Sequence, residues 1–494
     1  MQNESPDNAQ CFSPLSQGQQ ALWFIYQKAP ESIAYNIFIT TRLAGELNLE
    51  AWRRAWQKLV GRHSLLRTTY RTRDGKPCAV VSQDCNVKIE VTDASRWGAD
   101  ELKAKIMAAV EHPFNLETGP IMRLDLFARS PQEFVQLITL HHIAGDGWSF
   151  DLLLQELRVL YAASVISSPL EHLHFGENKA EGRGQRAEGK EESCKVEGYG
   201  NCLGGHDIKH LPEAKIANLL ADSPWQYADY VSWQSEMLES PRGEQLFRYW
   251  HKQLADCLPI LNLPTDKARP RDLSRRDEFH IVEIDQRLRE KLLQLAADLG
   301  VSLYRIMLAA FFVLLHRLSG QEDILLGSAM AARWSVEEFK SIVGYFNNEV
   351  VLRATLGDNP TFVEFLTRIH HTVTEAQAHQ DYPFDLLVKR LNPPRYASRH
   401  PLIQVDFTWR KHRWYELEEL RELRELRELR ELGEKNWGLS EQYWKRPELR
   451  AGEKALSMEP YLAVHEQGSV FDVSLTIEEL DQSLHFIWEY SADL

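Results

Sequence analysis

The sequence predicts a mixed α/β protein of two lobes, an α+β sandwich in class, and three observations lead there. The chain has 494 residues, 44% of them hydrophobic and 10% aromatic, enough apolar material for a large buried core and too much for a disordered or fibrous protein. Stretches of helical period alternate with stretches of period two, as expected of helices packed on sheets. Two segments of biased composition, 171–210 and 411–456, interrupt that texture. At roughly 150 residues per domain the remainder makes two lobes, an N-terminal one over 1–170 and a C-terminal one over 211–494.

In chain order, a Trp- and Leu-rich helical stretch begins near Gln20. The extended segment NIFITTRL follows, then a helical segment LNLEAWRRAWQKLVGRH and a second extended stretch, LLRTTYRTRDGKPCAVVSQD, in which Asp74-Gly75 marks a hairpin turn. Glu101 to Val110 is helical, and after Gly119-Pro120 come two strand-like runs, IMRLDLFA and EFVQLITL. Beyond the first interruption, WQYADYVSWQSEMLES and GEQLFRYWHKQL are helical, a second α/β region runs from about Phe279 to Phe407, and VFDVSLTIEE and LHFIWEY close the chain as paired strands. The most apolar run, Ile306 to Leu315, is bounded by Arg305 and His316. It is about half the length of a bilayer crossing, so it is expected to be a buried helix.

The two interruptions differ in kind. Residues 171–210 are dense in Gly, Glu and Lys with almost no periodic apolar residues, which predicts a loosely held excursion. Cys194, Cys202, His206 and His210 lie there with loosely ligand-like spacing, but the composition is that of a loop and no metal is expected. The core of 411–456 is the repeat ELRELRELRELREL. Leucines every three residues drift about 60° per repeat on a helix of 3.6 residues per turn, so they make no stripe and predict a solvated, marginal helix.

Charge and cysteine content exclude several functions. With 57 Lys+Arg against 71 Asp+Glu the net charge is −14, which disfavours nucleic acid and anionic membranes as partners. Six irregularly spaced cysteines do not make a disulfide framework. The first 30 residues lack the basic start and apolar stretch of a signal peptide. Both point to a reduced, cytoplasmic protein.

One string carries chemistry: HHIAGDGWS at 141–149, between the strand-like EFVQLITL and the helical FDLLLQELRVLYA. Phe150, Leu153, Leu157 and Leu160 share one helical face, so the string sits at a strand-to-helix turn, where α/β proteins often present reactive groups. Successive strand residues point to opposite faces, so only one of His141 and His142 can serve a given site. Gly145 and Gly147 flank Asp146 and permit a tight turn that brings its carboxylate near the histidines. Adjacent histidines lack the spacing of a zinc helix, which argues against a metal. Histidines satisfied within a core and a catalytic imidazole both stay open on the string alone.

HHIAGDGWS resembles the HHxxxDGxS signature of the condensation domains of non-ribosomal peptide synthetases, in the chloramphenicol-acetyltransferase-like superfamily. Five further strings occur in that family's order: SPLSQGQQALWFIYQ at 13–27, RHSLLRTTY at 62–70, YADYVSWQ at 227–234, VGYFNNEVVLR at 343–353, and HQDYPFDLLVKRL with SRHPLIQVDF between 379 and 407. The unmatched stretches are the two interruptions. The resemblance implies two chloramphenicol-acetyltransferase-like lobes in a V-shaped pseudo-dimer around a central tunnel, with a carrier protein at each mouth presenting an acyl group on a 4'-phosphopantetheine arm. No cofactor would be bound by the domain itself. The implied reaction is attack by the α-amine of an acceptor aminoacyl thioester on a donor thioester carbonyl.

The candidate catalytic set that the resemblance implies is His141, His142, Asp146 and Gly147. In this reading His142 faces the tunnel, and Asp146 holds the loop by pairing with Arg62 or Arg67. The backbone N–H of Gly147, with Ser149, lies near the developing oxyanion; Ser149 could equally be a helix N-cap. Asn348 lines the acceptor side or serves as a structural amide. Asn347 replaces a more usual apolar residue and, together with GQQALWFIYQ and VVLR, resembles condensation domains that follow polyketide modules, leaving polyketide, fatty acyl and aminoacyl donors open. Adjacent adenylation or polyketide synthase domains are expected, the chain being an excised piece of a larger synthetase or a stand-alone enzyme. No EGHGRE-like string of an epimerisation domain occurs, and His141 excludes the DxxxxD of a heterocyclisation domain. The alternatives are an acyltransferase for a free acceptor, or a non-catalytic domain that recruits a partner to a carrier.

Overall fold

A computed structural model describes residues 12–166, 225–256, 258–271, 277–396, 398–411, 456–462, 471–479 and 483–494. Almost all of both biased segments, with Cys194, Cys202, His206 and His210, lies outside the described residues.

The first half contains β1 (Phe12–Ser13), α1 (Gln17–Lys28), β2 (Asn36–Ala44), α2 (Leu49–Arg62), β3 (Thr68–Arg73), β4 (Lys76–Val81), β5 (Ile89–Asp93), α3 (Ala99–Val110), β6 (Met122–Ser130), β7 (Glu133–His141) and α4 (Gly147–Ile166). The second half contains α5 (Tyr227–Glu239), α6 (Pro241–Leu254), β8 (Asp277–Ile284), α7 (Gln286–Leu299), α8 (Leu303–Ser319), β9 (Asp323–Ala331), β10 (Asn347–Thr355), α9 (Phe362–Ala378), α10 (Phe384–Leu391), β11 (Val405–Lys411), β12 (Ser457–Leu462), β13 (Val473–Glu479) and β14 (Leu484–Ser491). The elements predicted outside the two biased segments are present, and Asp74 and Gly75 both take positive φ in the β3–β4 turn (52° and 76°), as a two-residue hairpin of this twist requires.

Two large sheets organise the molecule. The five-stranded sheet has the order β12-β2-β7-β6-β5, and the six-stranded sheet β10-β9-β11-β13-β14-β8. Strand alternation divides the first sheet's apolar residues between two faces. Ile37, Ile39, Ile138 and Leu140 join the core shared with α2 and α4, whereas Phe38, Val135 and Leu137 pack on Leu102, Ile106 and Val110 of α3. The second sheet has its own core with α6, α8 and α9. Within α8, Ile306, Leu308, Phe311, Phe312 and Leu315 are buried, as the apolar run predicted. No single helix among the described residues is long and apolar enough to cross a membrane.

The expected division at 170/211 is crossed in two places. Strand β12, expected in the C-terminal lobe, pairs antiparallel with β2, from Ser457 opposite Ala44 to Pro460 opposite Thr41. Tyr227, Tyr230, Phe339 and Phe346, all from the second half, complete the core of the first. A cavity of about 1960 Å³ takes walls from both halves, including Ile37 and His142 from the first and Ala329, Asp406 and Ser474 from the second.

Candidate active site

Strand β7 delivers the two histidines to different surroundings. His141 is the last strand residue and lies opposite Asn36 of β2, whose side-chain amide donates to the carbonyl of Val110 at the end of α3 (2.7 Å). Strand alternation therefore carries His141 toward α3. Its ring packs against Tyr35 and, edge-on, Phe114, and its Nδ1 accepts the N–H of Ile143 (3.1 Å). Burial, with some help from the neighbouring His142, pulls its pKa down to about 3. A neutral imidazole used as a turn acceptor fits a structural element, and of the two candidate histidines only His142 borders the large cavity.

The strand then breaks into a 3₁₀ turn, His142–Ala144, which swings His142 into the cavity wall. Its ring is 7% exposed, and Nδ1 lies 2.7 Å from the carbonyl of Gly145. A carbonyl only accepts, so Nδ1 carries the proton of the neutral ring and the lone pair resides on Nε2. The ring meets Tyr345 edge to face, centroids 5.0 Å apart. The backbone N–H of His142 donates to Tyr35 (2.8 Å), and Gln19 of α1 donates to the next carbonyl, Ile143 (3.0 Å).

Asp146 is 1% exposed and anchors the turn, but neither predicted arginine holds it. Its partner is Arg333, wholly buried, whose Nη2 reaches Oδ1 at 2.8 Å and Oδ2 at 3.0 Å. Asp146 also accepts the Ser149 N–H (2.9 Å), the Ser149 hydroxyl (2.8 Å) and the Phe346 N–H (3.1 Å). Arg333 donates further to Phe339 and Gly344 carbonyls and stacks over the Phe346 ring, 4.0 Å to its centroid. Burial pulls the guanidinium below the usual arginine value while Asp146 counters the shift. Burying a charge is costly without partners of this kind, and of the guanidinium nitrogens only Nε is left without one among the described residues.

Arg62 pairs instead with Glu156 of α4 (3.0 Å), which also takes a hydrogen bond from His63 (2.8 Å). Arg67 is partly exposed and donates to the Ser82 carbonyl. Both expected contacts to Asp146 are thus corrected. Sequence separation explains the miss, because Arg333 follows β9, 187 positions from Asp146, and nothing local distinguishes it from other arginines except its place just past an apolar strand.

Ser149 spends its hydroxyl within this node, donating toward Asp146 and Gly344 and accepting from Gly344 N–H (3.0 Å). It does not line the cavity, and the cap of α4 is Asp146, which accepts the N–H of Ser149, the third residue of the helix. Gly147 does line the cavity, and a Cβ there would meet nothing within 4 Å. Asn348 fastens a loop: its amide donates to Gln380 and Tyr382 carbonyls (2.7 and 2.8 Å) and its oxygen accepts the Phe384 N–H (2.8 Å). It also borders the large cavity and a second one of about 640 Å³. Tyr35 and Tyr345, which the sequence did not single out, border both as well. No cluster of metal-ligating side chains occurs among the described residues.

The family profile described as a condensation domain matches residues 9–190 and 213–494. One of the linear gramicidin synthase subunits from Brevibacillus parabrevis is 37% identical over 406 residues, 81% of this chain and 7% of that protein. The chondramide synthase of Chondromyces crocatus is 33% identical over 399 residues, 80% of this chain and 9% of that protein. The chain thus spans less than a tenth of these relatives. Among solved structures, the condensation domain of the monacolin K polyketide synthase superposes with a TM-score of 0.70 at 18% identity, covering 98% of this chain and 93% of that one. The X-domain from teicoplanin biosynthesis gives 0.69 at 22% identity, covering 100% and 92%. These likenesses establish a shared fold.

Proposed function

The chain belongs to the condensation-domain family, and from that premise we propose that it joins a donor acyl or peptidyl thioester to the α-amine of an acceptor aminoacyl thioester. Both substrates would arrive on phosphopantetheine arms of upstream and downstream carrier proteins, within a cytoplasmic peptide or hybrid polyketide-peptide synthetase. The observation that carries the reading is the placement of His142 on the wall of a large cavity, its Nδ1 tied to Gly145.

An α-amine has a pKa of roughly 7.7–8.0, so near neutrality a proton must leave as the bond forms, and an imidazole is a side chain suited to take it. The amine nitrogen attacks the donor carbonyl, the new C–N bond forms, and the C–S bond breaks to release the donor arm as thiolate. Nε2 of His142 takes the proton the nitrogen must lose, and the thiolate is the base that finally carries it. The N-terminus of α4, starting at Gly147 beside the cavity, has the polarity to favour negative charge on the carbonyl oxygen. Holding both thioesters in one cavity supplies much of the remaining acceleration by orientation. Asp146 acts at one remove, keeping the His142 turn in place.

With both carriers loaded, the wild-type protein is expected to form new amide on the acceptor carrier, and His142→Ala to form at least 100-fold less, as read by intact-protein mass spectrometry. Equal product from the two proteins would reject the assignment.

A further inference from the structure

Tyr345 stands where two constraints meet. Its peptide neighbours are fixed to the Asp146 node, Gly344 through Ser149 (3.0 Å) and Phe346 through Asp146 itself (3.1 Å). Its own carbonyl accepts the Tyr227 hydroxyl at 2.6 Å, and that hydroxyl also meets Ser16, the N-cap of α1, at 2.9 Å. The ring so placed lies against His142 and forms part of the wall of both cavities.

Behind the ring lies Gly18 of α1. A Cβ at position 18 would come within 2.6 Å of Tyr345 Cε1 and 3.0 Å of Cδ1, closer than atoms can approach. The position is helical, and in a helix glycine is disfavoured relative to alanine. Its backbone gives no reason for glycine; the Tyr345 ring does. The adjacent Gln19 meanwhile braces the His142 turn through Ile143, so one turn of α1 supports both rings.

We propose that Tyr345 is a positioning residue for His142, holding its imidazole plane while Gly145 holds Nδ1, and that Gly18 is side-chain-free to seat the Tyr345 ring. The inference rests on the catalytic role proposed for His142, and it assigns the orientation of that ring to a residue of the other lobe. Loss of the ring, or a methyl group pushing it forward, frees the imidazole to rotate and removes part of the partition between the cavities.

The test uses Gly18→Ala, Tyr345→Leu and Tyr345→Phe in the carrier-loading assay, with thermal melting and ¹⁵N spectra of the His142 ring. Gly18→Ala is expected to stay folded with a melting temperature within several degrees of wild type, the helix preference of alanine partly offsetting the displaced ring, yet to lose at least tenfold in kcat with KM for either carrier within threefold. Tyr345→Leu should lose at least thirtyfold in kcat, and Tyr345→Phe should recover most of that loss. The ¹⁵N spectrum should show a single Nδ1–H tautomer in wild type and a mixture in Gly18→Ala and Tyr345→Leu. If kcat in both stays within threefold of wild type, or if a rise in KM accounts for the whole loss, the proposal is overturned. Should wild type and His142→Ala prove equally active, the catalytic reading fails by itself; the spectra then still decide, an unchanged tautomer refuting the positioning role and a mixture supporting it.

Discussion

At the scale of residues, two adjacent histidines do different work because one strand ends between them. His141 keeps the strand's alternation and is buried as a neutral acceptor, while His142 begins a 3₁₀ turn and reaches the cavity. The depressed pKa of His141, about 3, has a sign that can be worked out. Below about pH 6.5 the unfolded chain binds a proton at this residue that the folded chain refuses, so stability is lost as pH falls through that range. For this group the loss between pH 6.5 and 5 is about 1.5 kcal/mol. A His141→Asn variant is expected to show a correspondingly flatter decline in urea-unfolding free energy over that interval; parallel curves would contradict the assignment. The division of labour was half legible in HHIAGDGWS: alternation dictates that only one histidine can work. The ion pair of Asp146 was not legible, because Arg62 and Arg67 lie near the motif in the family's order while Arg333 reaches it only through the fold.

At the scale of elements, the turn from β7 to α4 sets the shape of the cavity. Gly147 opens α4 facing empty space, so a larger side chain there has room without disturbing the packed core. Gly147→Leu is therefore expected to fold with a melting temperature within a few degrees of wild type while losing amide formation at least tenfold, by filling the space the substrates need. A large drop in melting temperature with specific activity retained would show that the glycine serves the backbone instead. The helices were readable from period, since α2 and α8 bury faces of 3.6-residue spacing, whereas β2 and β7 are buried on both faces and were readable as short runs rich in apolar and β-branched residues between turn signals. Strand β12 was not readable, because its pairing with β2 joins residues more than 400 positions apart and its own six residues, SMEPYL, carry no alternation. The role of Gln19 was equally hidden: its buried amide contacts Tyr70 and Ile143, partners that only tertiary structure supplies.

At the scale of the molecule, separate cores are joined by buried polar links. Arg333 to Asp146 and Tyr227 to Ser16 are both contacts between the two halves of the chain, and Tyr230, Phe339 and Phe346 extend the first core with residues of the second half. Calorimetry of the wild-type protein is accordingly expected to give one unfolding transition. In Arg333→Met, which leaves Asp146 buried without its partner at a cost of about 3–5 kcal/mol, the transition should move several degrees lower and broaden or split. Two resolved transitions already in wild type would show that the halves unfold independently and that these links do not couple them. The crossing of β12 into the first sheet adds a consequence for any severed form of the protein. A fragment ending after α4 would contain every other strand of that sheet, yet β2 would offer its unused row of N–H and C=O groups to solvent, a ready template for self-association. The short ribbon near the far end of the chain is thus what shields the opening half from pairing with its own copies.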